Sequence, residues 1–397
     1  MFNVKKPTNI KPEDIILKVD ELIYRAVQKG SSDIHIEPFE DFVRVRFRID
    51  GKLYKDRELN LVDYKRYVSR IKVMSGLNIA ENRLPQDGSF NFKKDLFNVD
   101  IRVSTIKTIY GEKVVLRILQ KDEKKINLKN LGVGEKEIQQ LLNLARVENG
   151  LIYLTGPTGC GKTTTLYSLL KEINDEKVNI ITVEDPVEFK IPGINQIGIN
   201  EKAGIGFSTA LRSILRQDPE IILVGETRDE QTASISVRAS ITGHKVFSTL
   251  HTNDSYSAII RLLDMGIEDY LIRASLRGVV SQRLIRKLCP HCKKEVTLSK
   301  TEIDYLNRLE INSFPDKVYT SKGCSNCNQG YLGRKAIYEI VNIDKEFRDL
   351  IRKDVNLDEL KTLGAKKNIK NLEYKAALEF LKGNTSFEEI MNLTLNY

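Results

Sequence analysis

The chain has no tryptophan and only 4 histidines in its 397 residues. No apolar run approaches the roughly eighteen residues that a membrane-crossing helix needs. Residues 1–16, MFNVKKPTNIKPEDII, lack the apolar core of a secretory leader. There is no internal repeat, no low-complexity tract and no dense run of basic residues. These absences argue against an integral membrane protein and a leader-directed secreted one. The expectation is a cytoplasmic chain whose dealings with a membrane are peripheral. A nucleic-acid groove would interleave basic residues with stacking aromatics. Aromatics make up only 7% of this chain, so direct nucleic-acid binding is not expected.

What is present suits two or three soluble domains with proper cores. Lys and Arg number 63 against 54 Asp and Glu, a formal net charge of +9. That excess favours anionic company, whether nucleotide, anionic lipid surface, nucleic acid or acidic protein faces, without choosing among them. Of the 5 cysteines, four form two C-x-x-C pairs and the fifth is Cys160. In a reducing compartment such pairs mean metal before disulfides.

Along the chain, 12–29 has the apolar spacing of a helix, with Ile15, Val19, Leu22, Ile23, Ala26 and Val27 on one face and Gly30 as its stop. Alternating segments at 33–37 and 42–49 read as strands. Val43, Val45, Phe47 and Ile49 fall on one side of the second, Arg44, Arg46 and Arg48 on the other. Asp50-Gly51 is a hairpin signal. A helix over 63–75, a loop over 84–88 and strands over 97–104 and 113–119 complete a small α+β domain, 1–119. The polar stretch 120–130 (QKDEKKINLKN) reads as a linker. Helices then alternate with apolar strands at 151–155, 179–184, 221–224 and 245–250, the signature of a mostly parallel sheet covered on both faces. From Asp254 onward the pattern is mainly helical.

The first of those strands, LIYLT, runs into Gly156-Pro-Thr158-Gly159-Cys160-Gly161-Lys162-Thr163-Thr164 and then a helical pattern. Strand, glycine-rich loop and helix with the G-x-x-x-x-G-K-[ST] spacing make a phosphate-binding loop. Glycines let backbone N–H groups turn inward around a polyphosphate, and the new helix points its positive end at the same anion. Lys162 would reach the β- and γ-phosphates of ATP, and the Thr163 hydroxyl would join the Mg²⁺ shell.

Ligands in such sheets sit at the strands' carboxyl ends, and each later strand ends in reactive residues. They are Glu184-Asp-Pro-Val-Glu188, Ile221-Ile-Leu-Val224-Gly225-Glu226 and Thr249-Leu-His251. A nucleotide hydrolase needs a carboxylate to orient water, an acceptor for Mg²⁺ and a sensor of the γ-phosphate. Four apolar residues followed by an acid resemble a Walker B element, with Gly225 where many such enzymes carry aspartate.

ITVEDPVEF (181–189), LRSILRQDPEIILVGETRD (211–229) and TGHKVFSTLHTND (242–254) resemble the Asp box, Walker B and His box of the type II secretion and type IV pilus assembly ATPases. SSDIHIEP (31–38), RLPQDGSF (83–90), GEKVVLRIL (111–119) and GYLGRKAIYEI (330–340) match the same family outside that core, from about Ile10 to the C-terminus. The resemblance implies an α/β protein: a PAS-like α+β domain, a RecA-like ATPase core over 131–285, a tetracysteine element over 286–335 and a helical subdomain over 336–397. It implies a homo-hexameric ATPase using ATP and Mg²⁺ at the cytoplasmic face of the membrane. Such a motor works through a polytopic platform protein to assemble or extrude pilin-like subunits. Glu184 becomes the water polariser, Glu226 the Walker B carboxylate and Mg²⁺ acceptor, and His251 the γ-phosphate sensor. Arg102 and Arg117 become arginines supplied to the nucleotide. Gln231 stands where the family usually has glutamate. The chain begins near the family's second domain, so the further adaptor-docking domain of many assembly ATPases is expected to be lacking.

The pairs Cys289-Pro-His-Cys292 and Cys324-Ser-Asn-Cys327 have the knuckle form of a tetrahedral thiolate site, and four thiolates leave no open position for water. Structural Zn²⁺ is therefore expected, with a hairpin or helix pair filling the spacer 293–323. Assembly-type members of the family carry a similar element, whereas retraction motors typically do not.

Overall fold

The computed structural model describes residues 12–120 and 126–394. The chain divides into two compact units, Met1–Asp122 and Glu123–Tyr397. The first contains α1 (Pro12–Gln28), β1 (Asp33–Pro38), β2 (Val43–Ile49), β3 (Lys52–Leu59), α2 (Leu61–Met74), β4 (Gln86–Lys94), β5 (Phe97–Thr108) and β6 (Gly111–Gln120). Its strands form one antiparallel sheet in the order β3-β2-β1-β6-β5-β4. Strand alternation decides the faces. Val43, Val45, Phe47 and Ile49 join Ile34, Ile36, Val114 and Leu116 in a core shared with Leu22 and Ile23 of α1 and Tyr67 and Ile71 of α2. The opposite face is charged. Glu37 of β1 pairs with Arg44, Arg46 and Lys113, while Asp33 pairs with Arg48 and Arg117. The arginine stripe is thus an ion-paired face. Burial works to raise the Glu37 pKa, but hydrogen bonds from Arg46 and Lys113 outweigh it and hold the carboxyl at about 2. The expected loop over 84–88 gives way to strand at Gln86; β4 is an edge strand with Phe92 its one buried side chain, too polar for its alternation to show.

The second unit contains α3 (Glu135–Ala145), β7 (Gly150–Thr155), α4 (Lys162–Ile173), β8 (Ile180–Glu184), β9 (Asn195–Gly198), α5 (Phe207–Ile214), β10 (Ile221–Val224), α6 (Glu230–Ile241) and β11 (Lys245–Leu250). Then come α7 (Ser257–Asp264), α8 (Asp269–Ser275), β12 (Leu276–Leu288), β13 (Lys294–Thr297), α9 (Lys300–Arg308), β14 (Lys317–Thr320) and β15 (Tyr331–Asn342). Four helices end it: α10 (Lys345–Leu350), α11 (Leu357–Lys366), α12 (Leu372–Leu381) and α13 (Phe387–Thr394). Seven strands form the main sheet in the order β15-β12-β7-β11-β10-β8-β9, parallel throughout except for β15. β7 and β8 are buried along their whole length, as strands covered on both faces must be. Separate apolar clusters, around Tyr153 and Val237 and around Leu154 and Tyr167, line the two faces.

Two expectations change here. The chain is not mainly helical after Asp254, because β12 and β15 pair antiparallel and extend the central sheet beside β7. The cysteine-bearing segment hangs between them as the hairpin β13-β14 with α9 inserted. Of the stretch read as a linker, 121–125 lie outside the described residues. Ile126 and Leu128, however, are buried in the second unit's core against α3 and α4 side chains.

Candidate nucleotide-binding site and metal centre

Because β7, β11, β10 and β8 are parallel neighbours, their carboxyl ends share one edge of the sheet. That edge carries the phosphate loop after Thr155, His251 after Leu250, Glu226 after Val224 and Glu184 at the end of β8. The loop's crest, Pro157 to Gly159, is exposed, while Cys160 and Lys162 are buried and Thr163 and Thr164 half-buried. Lys162 donates from Nζ to the carbonyls of Gly156 at 2.6 Å and Pro157 at 3.2 Å. Burial pushes its amine below the usual lysine value; Arg283 reinforces the shift and Glu226 opposes it. The Cys160 thiol is pushed up by the same burial and is an inert packing group.

Glu226 accepts from Arg228, and its other oxygen lies 3.5 Å from His251 Nε2. The pairing raises the guanidinium pKa of Arg228. Gly225 is explained by packing: a Cβ there would sit 3.1 Å from the Val183 carbonyl and 3.2 Å from Glu184 Cα. A side chain at this level would therefore press on the β8 backbone, and the acid of this strand stands one residue later, at Glu226. Glu184 is more enclosed, only 4% exposed. Its carboxylate accepts from the Tyr167 hydroxyl, from Thr182 Oγ1 at 2.6 Å and from Gln196 Nε2 at 3.3 Å. Tyr167, Thr182 and Gln196 were not legible as site residues, since each is an ordinary residue on a different element.

Arg102 and Arg117 belong to the first unit. They are direct cross-strand neighbours on β5 and β6, hence on the same face. Asp33 accepts from Arg117 Nε at 3.1 Å, and Ser32 Oγ donates to Asp33 at 2.8 Å. The SSDIHIEP motif thus orients one arginine of the pair.

In the tetracysteine element all four sulfurs lie within 4.8 Å of one another. Cys289 and Cys324 are 4.0 Å apart, Cys292 and Cys327 3.7 Å, Cys324 and Cys327 3.6 Å. A tetrahedron of thiolates about 2.3 Å from a metal has edges of about 3.8 Å, so the donors fit such an ion. Backbone N–H groups of Cys324 and Gly330 donate to Cys327 Sγ at 3.2 and 3.3 Å. Burial resists charge at Cys327, but these amides outweigh it and bring its thiol below the ordinary cysteine value. Among the described residues this is the cluster able to hold a metal, and no helix is long and apolar enough to cross a membrane.

The type II/IV secretion system protein family matches residues 10–392. The type II secretion system protein E of Pseudomonas aeruginosa is 43% identical over 381 residues, 96% of this chain and 75% of that protein. The type IV pilus assembly ATPase TfpB of Acinetobacter baylyi is 40% identical over 383 residues, 96% of this chain and 66% of that protein. Among solved structures, the pilus retraction motor PilT with bound ADP has a TM-score of 0.62 at 26% identity, covering 94% of this chain and 96% of that one. The chain therefore belongs to the type II/IV secretion system protein family, the family of the type II secretion and type IV pilus assembly ATPases.

Proposed function

We propose that this chain is the ATP-hydrolysing motor of a secretion or pilus-type apparatus. It would act as a homo-hexamer at the cytoplasmic face of a membrane, on a polytopic platform protein that handles pilin-like subunits. The observation that carries the reading is the shared sheet edge, where the phosphate loop meets the Glu226–His251 pair. The loop of Gly156, Thr158, Gly159, Cys160, Gly161, Lys162, Thr163 and Thr164 holds the phosphates of ATP. Thr163 and Glu226 hold Mg²⁺, which neutralises phosphate charge when bound.

The three donors on Glu184 support a division of labour. The resemblance makes Glu184 the water polariser; held by these three donors it would instead fix the end of β8, leaving Glu226 to orient the attacking water and His251 to contact the γ-phosphate beside it. Arg102 and Arg117 supply positive charge as the nucleotide reacts. Cys289, Cys292, Cys324 and Cys327 bind structural Zn²⁺. The assembly-type reading over a retraction motor rests on that cluster and on the 40–43% identity to the assembly and secretion relatives.

The test is ATP turnover by the purified chain alone, with single-stranded DNA, and with anionic liposomes carrying a candidate polytopic platform protein. Stimulation by the platform liposomes only is the expected result. Stimulation chiefly by DNA would replace this reading with a nucleic-acid motor.

A further inference from the structure

β12 runs parallel beside β7 with Ser281 opposite Thr155, so the next two residues reach the level of the phosphate loop. Both are polar and buried: Gln282 is 0% and Arg283 9% exposed. Gln282 Nε2 donates to the Cys160 carbonyl at 2.8 Å, inside the loop. Its Oε1 accepts from Thr165 Oγ1 at 2.9 Å, on the first turn of α4. The Thr165 hydroxyl also lies 2.8 Å from the hydroxyl of Tyr338, the residue opposite Gln282 on β15. One side chain therefore spans the loop and the helix that follows it.

Arg283 Nη2 donates to the Asn253 carbonyl at 2.7 Å, two residues beyond His251, and Nη1 to the Gln282 carbonyl at 3.1 Å. Ser281 Oγ adds a second donor to Asn253, and Ser281 N donates to Ser255 Oγ. A Cβ on Gly156 would sit 3.1 Å from Arg283 Nη1. The loop and the His251 turn are thus laced to three consecutive residues of one strand. Buried polar side chains cost more than a methionine of similar size unless each bond is made. Here the bonds of Gln282 reach the phosphate loop and the helix that follows it, and one bond of Arg283 reaches the His251 turn.

The geometry points to Gln282 and Arg283 as positioning residues of the ATPase site, Gln282 setting the curvature of the phosphate loop and Arg283 fixing the His251 turn against it. The inference rests on the nucleotide site proposed above. It assigns separable effects: Gln282 governs nucleotide affinity, and Arg283 governs turnover through the turn it holds. Arg283 acts through the fork of its guanidinium rather than through charge alone.

The experiment uses the full chain, titrated with a fluorescent ATP analogue and assayed for steady-state hydrolysis. Gln282→Met should weaken nucleotide binding about tenfold and leave kcat within about twofold. Thr165→Val, which keeps the Gln282–Cys160 bond, should weaken binding by a smaller factor, and the double variant should lose less than the two single losses combined, because the Gln282–Thr165 bond is common to both. Arg283→Lys should lower kcat at least tenfold with KM nearly unchanged, and as severely as Arg283→Met. Wild-type affinity in Gln282→Met and Thr165→Val, or wild-type kcat in Arg283→Lys, overturns the inference. If Gln282→Met fails to fold, Thr165→Val carries the affinity arm alone. Failure of the unaltered chain to bind nucleotide would instead overturn the site itself, so the two failures are told apart.

Discussion

Gly156→Ala is the sharpest single perturbation of the phosphate loop. Gly156 has φ +143°, and a Cβ there would lie 2.5 Å from the Gln282 carbonyl oxygen and 2.7 Å from Cys160 Sγ. The carbonyl belongs to a strand paired with β15 at this residue and with β7 up to Ser281, so moving it disturbs the central sheet. A non-glycine residue in such a backbone region costs ~1–3 kcal/mol, and overpacking against fixed neighbours adds ~1–3 kcal/mol. The total, ~2–6 kcal/mol, is met either by the whole unit or by the loop alone. In the first case the thermal midpoint falls by about 4 °C or more, given the ~2–4 °C per kcal/mol of domains this size. In the second, the loop binds nucleotide at least about thirtyfold more weakly. Gly243→Ala is the control: its φ is +108° but nothing lies within 4 Å of the added atom, so it bears the backbone strain with no displacement of the loop. Differential scanning fluorimetry and nucleotide titration read both quantities. A Gly156→Ala chain with unaltered melting and unaltered affinity would refute the contact between loop and β12.

Glu226→Gln should reduce ATP turnover by about two to three orders of magnitude with nucleotide binding largely kept. Glu184→Gln should instead lower the melting temperature by several degrees and turnover less than about tenfold; a coupled ATPase assay beside thermal melts separates the two. Cys324→Ser should take metal content from one zinc per chain to almost none and lower the melting temperature, as read by elemental analysis and calorimetry. Glu37 titrates at about 2 in the folded chain against 4.5 for an ordinary glutamate. Its stabilisation is therefore full above about pH 4.5 and lost as pH falls from there toward 2, on the order of 2 kcal/mol after screening. Urea midpoints from pH 5 to 2.5 should show less acid loss in Glu37→Gln than in the unaltered chain.

The parts of the site legible in the sequence were those with short-range grammar. The phosphate loop declares itself because its spacing follows from wrapping one polyphosphate, and Glu226 and His251 because apolar strands end just before them. Glu184 was found by the same rule, yet its enclosure by Tyr167, Thr182 and Gln196 was not. Those partners come from α4, β8 and β9, and nothing in local pattern ties them together. The four cysteines show the same division: C-x-x-C spacing predicts each knuckle, while the long-range pairings of β12 with β15 and β13 with β14 bring the sulfurs to 4.8 Å or less.

The largest element missed has a physical reason rooted in its role. β12 reads LRGVVSQRLIRKL, and its apolar run is broken by Ser281, Gln282, Arg283 and Arg286, all buried. A central strand normally announces itself as an unbroken apolar stretch. Here each interruption makes bonds elsewhere in the unit. Ser281 and Arg283 hold the Asn253 turn, Gln282 holds the loop, and Arg286 pairs with Glu389 of α13 at 2.6 Å. The polar residues that hide the strand from periodicity are the ones that tie the phosphate loop, the His251 turn and the terminal helix to a single rigid rod. A strand built to be a scaffold alone would carry apolar residues there, and reading the sequence would have found it.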